Sequence, residues 1–278
     1  MTSAANAARR LGPQELDAFG AELDALHTRT MAQVGKVDAD YIRKVVRWVR
    51  YCGFGGRALL MVGAIGGAFV PWLLWPACIA GVLLLALSKI MENMEVGHNV
   101  IHGQYDFMGD PQFNSRTYEW DIVATADNWR HSHNFRHHTY TNVRGMDDDI
   151  GYGLLRIFPE QRWRPFYLMQ PFIAVVFALY FQWGVAIQEL KLGRWFAGKM
   201  PKGKMRRDFA PVGRKMGRQL LKDYLLFPLL AGPFFLPVLL GNLAANGIRN
   251  ALLRDGVPRS VRRDIARVRT VQREKAGK

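Results

Sequence analysis

The sequence predicts an all-α integral membrane protein whose helical cap, on the cytoplasmic side, carries two clusters of histidine. Three observations lead there. No charged residue occurs from Ala58 to Ser88. Two further apolar runs, 165–187 and 224–246, alternate with segments where Lys and Arg gather, in a chain of 278 residues with a net charge of +15; long apolar runs between basic segments are a membrane pattern. Six of the seven histidines lie between His98 and His138, where random placement would put about one.

Residues 1–39 are a polar segment with an amphipathic stretch from Glu15 to Met31. No apolar region follows Arg9 and Arg10, so no signal peptide is expected. His27 reads as an ordinary exposed histidine. Residues 40–57 mix Arg43, Lys44, Arg47, Arg50 and Arg57 with Tyr41, Trp48 and Tyr51, which suits a helix along the cytoplasmic headgroups.

The uncharged block from Ala58 to Ser88 would be roughly 46 Å long as one helix, against a hydrocarbon core of roughly 30 Å. It must turn, and Pro71 and Pro76 supply the breaks, with Trp72 and Trp75 as interfacial anchors. Spans at about 58–74 and 76–102 are expected, with Gly63, Gly66 and Gly67 allowing close approach. The second helix overshoots the core by roughly 9 Å and so should project His98 and His102 into the cytoplasm.

His98 and His102 are four apart, one helical turn, with Glu95 a further turn back. His133 and His137 repeat the spacing, and His138 adds a third ring. Five imidazoles exceed one tetrahedral zinc site, so a two-metal centre fits better. Asn99 follows His98, where a zinc protease needs its glutamate base. Asp127 and Asn128 suit either partners for imidazole N–H groups or helix caps. His131 is a further candidate. Asp147, Asp148 and Asp149 could offset positive charge or cap the next helix, with direct ligation a lesser alternative. Imidazole alone does not choose between iron, zinc, copper and nickel.

Residues 165–187 are long enough to span, and a basic loop from Lys191 to Lys222 follows. The run 224–246 is interrupted by Pro228, Pro233 and Pro237. A crossing at 165–187 would place the basic loop outside, against the positive-inside rule, so either that segment lies in the interface or the loop is an exception. Asn242 and Asn246 should face the protein interior. Residues 251–278 form a basic tail, either an amphipathic surface helix or solvated chain. Cys52 and Cys78 read as packed thiols. Nucleic acid is not an expected partner, because the basic residues flank apolar spans and no nucleic-acid-binding motif occurs.

The pair of segments MENMEVGHNVIHGQYDFMGDPQFNS and DNWRHSHNFRHHTYTNVRGMDDDIG resembles the first two histidine boxes of the membrane-bound fatty acid desaturases, in their bacterial acyl-desaturase branch. The resemblance covers about residues 35–250, with the membrane domain at 40–250. It implies two iron ions held by His98, His102, His133, His137 and His138, with Asn242 and Asn246 near them, whereas Glu95, Asp127, Asn128 and His131 are candidates for further ligands or supports by their position beside the boxes, His131 the weaker because it precedes the family box. It implies an acyl-CoA or acyl-lipid substrate, dioxygen, and a separate electron-transfer protein. Related di-iron hydroxylases share the boxes, and a non-catalytic membrane protein retaining part of the site is the other alternative. The family carries a third box, whereas no histidine follows His138 here. A truncated or frame-shifted product is therefore expected, with a diverged natural variant as the alternative, and with incomplete iron binding and little activity.

Overall fold

A computed structural model of the protein describes residues 12–143, 146, 147, 149, 151–158, 161–190, 192, 198 and 202–254. Among them the main helices are α1 (Pro13–Met31), α2 (Lys36–Phe69), α3 (Pro71–Ile101), α4 (126–139), α5 (Pro165–Leu179), α6 (Phe181–Glu189), α7 (202–229) and α8 (Phe235–Arg254), and no β-strand forms. Met1–Arg43 is a compact unit of its own, and Lys44–Lys278 is a second. In the first, Pro13 opens α1 and the Glu15 carboxylate accepts from the Gly12 N–H at 2.8 Å, satisfying one donor that the helix start leaves free.

Two helices, α2 and α3, are long and apolar enough to cross a membrane. They form a hairpin broken at Val70 (φ −130°, ψ 83°), followed by one 3₁₀ turn at Pro71–Leu73. Pro76 does not take part in the break. It sits in the first turn of the resumed helix, where its missing N–H costs no hydrogen bond. Trp72 and Trp75 are exposed at this turn. Closest approach comes higher up, where a Cβ on Gly81 would lie 2.9 Å from the Gly56 carbonyl oxygen and a Cβ on Gly56 2.7 Å from the Leu85 nitrogen. That pair was not among the glycines picked out by sequence. Gly63, which was, packs on Cys78.

The other two apolar runs depart from single spans. Residues 165–189 bend by 98° at Tyr180 (φ −119°, ψ 27°), between α5 and α6. The run 224–246 reverses at Ala231–Phe234, with Gly232 at φ 56°. Consequently α7 and α8 form a second hairpin: Asn246 on α8 donates to the Tyr224 hydroxyl at 2.9 Å, while Ala231 and Val238 share a cluster with Ala64 of α2. The basic segment is largely the helix α7, whose Lys215 donates to Glu119, the Trp120 carbonyl and the Ala124 carbonyl, and whose Lys222 pairs with Asp121. It thus lies at the same end of the hairpins as the loop between the histidine clusters.

Helix α8 packs against α2, α3, α5, α6 and α7. Leu60, Leu85, Ala86 and Ala245 are buried together at its contact with α2 and α3. Lys89 and Asp223, both buried, pair at 2.6 Å between α3 and α7. The basic tail from residue 255 onward and Asp148 lie outside the described residues.

Candidate metal centre

His98, His133 and His137 lie in two helix segments wound as π-helix, Glu92–His98 in α3 and Arg130–His137 in α4, and His102 and His138 follow just beyond them. A π-turn closes on the fifth residue, not the fourth, so positions i+4 and i+5 flank position i. Accordingly His137 and His138 both lie against His133, each with ring centroids 5.0 Å away. His98 and His102 are 4.5 Å apart and reach His133 at 5.3 and 5.4 Å, while His102 also meets His138 at 4.9 Å. Thr125 caps α4 by accepting from the Asn128 N–H, and its hydroxyl donates to Glu189 of α6.

Five of the histidines read from sequence are therefore brought together. Ligand atoms of His98, His102 and His133 converge within 4.8 Å of one another, as do those of His133, His137 and Asp149. The donor chemistry fits a metal. Asp149 accepts from His133 Nδ1 at 2.7 Å, and Asp147 from His137 Nδ1 at 2.9 Å; a carboxylate on one ring nitrogen leaves Nε2 free to ligate. Burial and the neighbouring His133 and His138 lower the His102 pKa to about 4. Burial, His133 and His137 lower that of His138 as well. Both shifts favour the neutral ring, the form that binds metal without first losing a proton.

Other candidates fall elsewhere. His131 is exposed and stacks on Phe135. Asp127 is 89% exposed and pairs with Arg130, so it neither orients a ring nor caps the helix. Asn128 gives its backbone carbonyl to Ser132. Neither converging group includes Glu95 among the described residues. Asn242 is buried and donates to the Val238 carbonyl, and Asn246 bonds Tyr224 and Asp223, which makes it a link between α7 and α8. The sequence had offered Asp147 and Asp149 as charge balance or caps, with direct ligation as the lesser alternative. Their true partners are 10 and 16 residues away, brought back by a turn in which Asn142 adopts φ 65°.

Trp129 stacks on His133 at 4.3 Å. Behind it lies a mostly apolar cavity of about 360 Å³, lined by His98, His133 and His137 at one side and by Tyr152, Phe177, Phe181 and Val185. Gln182 also lines it, fully buried with neither amide atom hydrogen-bonded.

These features define a class first: a helical membrane protein with a histidine cluster able to hold metal beside an apolar cavity. The chain belongs to the fatty acid desaturase family, whose pattern it matches over residues 27–253. It is 40% identical over 240 residues to the NADPH-dependent stearoyl-CoA 9-desaturase of Mycobacterium tuberculosis, covering 85% of this chain and 54% of that protein. An sn-1 linoleoyl-lipid 6-desaturase of Synechocystis is 34% identical over 108 residues, 37% of this chain and 29% of its own. The chain thus spans about half the length of the mycobacterial relative. No solved structure matches.

Proposed function

We propose that this chain carries the reaction centre of an acyl desaturase that introduces a double bond into a saturated acyl chain, with the centre on the cytoplasmic face of a multi-pass membrane protein. The observation that carries the proposal is the apolar cavity bordered by His98, His133 and His137. An acyl chain is the ligand such walls suit, since burying its methylenes contributes about 0.8 kcal/mol each. Two irons bound by the five histidines would supply dioxygen activation. Two hydrogens leave adjacent carbons, and dioxygen takes them up together with two electrons and two protons from a separate donor protein to leave as two waters. Asp147 and Asp149 hold the rings in the ligating tautomer, while Trp129, Phe177 and Phe181 keep water from the chain. The mycobacterial relative's name supports acyl-CoA as the carrier.

The experiment is to purify the 278-residue chain in detergent, count its irons, and supply stearoyl-CoA, dioxygen and reductant. A new double bond supports desaturation, and an alcohol product would point to hydroxylation. Iron far below two per chain, with no product, would support the incomplete centre expected from five histidines. Failure of a stearoyl chain to protect the cavity from labelling at a Val185→Cys substitution would sink the acyl assignment.

A further inference from the structure

We infer that a second site, between α2, α3 and α8, binds a phosphate group. It is a cavity of about 200 Å³, several times the roughly 30 Å³ share of one water molecule. Arg50, Arg57, Lys89 and Arg249 contribute to its walls, with Glu92 and Asp121 as its acids. Two of these charges are already answered outside the cavity, because Lys89 pairs with Asp223 and Asp121 with Lys222. Glu92 accepts from the Tyr118 hydroxyl at 3.0 Å. What remains is three guanidiniums against one carboxylate.

Arg249 makes the case. It is fully buried, and its Nε and both terminal nitrogens have no hydrogen-bond partner. Arg57 Nε is likewise buried and unpartnered, its guanidinium lying 4.3 Å over the Phe227 ring. A buried guanidinium cannot shed its proton, and leaving it unanswered is strongly destabilising. Its planar fork of donors matches a phosphate better than a single-point anion. Ser88 does not compete, since its hydroxyl already donates to the Val49 carbonyl.

Two sources offer that chemistry, a lipid headgroup and a free phosphate. The surroundings favour lipid. Phe54, which lines the cavity, is 73% exposed on a membrane-length helix, and basic clefts between such helices suit anionic headgroups. Asn93 lines both this cavity and the one beside the histidines, so the two sites adjoin. The inference stands whether or not the chain desaturates.

The test uses the purified full chain in detergent, read by native mass spectrometry and thermal unfolding. Added phosphatidylglycerol is expected to stay bound and to raise the unfolding temperature more than phosphatidylcholine does. Arg249→Gln should weaken that binding at least tenfold. Because Arg249→Gln could fail to fold, Arg57→Gln on the cavity wall serves as the second variant, expected to weaken it several-fold with iron content unchanged. Stabilisation by inorganic phosphate but not by the lipid would keep the site and assign it to a soluble phosphate. Equal binding by wild type and Arg57→Gln, or no preference for either phosphate probe over phosphatidylcholine or chloride, would overturn it. Water bridging Arg249 to Asp223 Oδ1, which is also buried and unpartnered, would then be the occupant.

Discussion

Asp147 illustrates how much of the centre depends on a residue outside the two converging groups. It accepts from His137 Nδ1 and from the backbone N–H groups of Asn142 and Asp149 at 2.9 and 3.0 Å. Replacing it removes the acceptor that holds the ring's tautomer and the turn that returns Asp149. Asp147→Ala is therefore expected to lower iron affinity by about 10–100-fold, whereas His131→Ala should leave it unchanged; titration with ferrous iron compares the two. At this scale the clustered histidines were legible and the carboxylates paired with them were not. Spacing alone singled out His98, His102, His133, His137 and His138. The pairing of His137 with Asp147 depends on the left-handed backbone of Asn142, a conformation asparagine tolerates but does not announce. Spacing also assumed α-helical winding, under which His138 would point well away from His133. The π-turn brings it back.

At the scale of the element, the α2–α3 hairpin was legible because length against membrane thickness forces a turn, and the prolines marked it to within a few residues. The bend at Tyr180 was not, since 165–187 contains no proline or glycine there to signal it. Nor was the reversal at Ala231–Phe234 read as one, although the prolines around it were noted. The contact that fixes the first hairpin is Gly56 on Gly81. Gly81→Ala should push the helices apart and cost about 1–3 kcal/mol, measured by thermal unfolding in detergent. Gly20→Ala in α1, with nothing within 4 Å, is the control, expected to stabilise its helix by about 0.5–1 kcal/mol. Between α3 and α7, Asp223→Asn should leave Lys89 buried and uncompensated, costing about 3–5 kcal/mol. The double replacement Lys89→Met with Asp223→Leu should recover most of it, read by the same unfolding measurement.

For the molecule as a whole, we expect the basic segment and the loop between the histidine clusters to share one side of the membrane, because 165–189 is bent and 224–246 folds back. Both hairpins then enter from one end, and every basic segment among the described residues can stay there. On a background without Cys52 and Cys78, cysteines placed at Gln112 and Arg207 are expected to react from the same side of the membrane, and one at Trp72 from the other; labelling of Gln112 and Arg207 from opposite sides would contradict the topology. The position of α8 at the centre has a further consequence, in time more than in space. Lys89 and its partner Asp223 are separated by 134 residues, so a chain made from the N-terminus displays the lysine of α3 long before the carboxylate exists. Until α7 and α8 are synthesised, the first hairpin waits with a charged, unpaired side chain and a bare apolar surface at Leu60, Leu85 and Ala86. Interruption of synthesis in that interval would leave a species that quality-control proteases recognise, and the yield of this protein in cells should therefore follow how quickly residues 190–250 are translated.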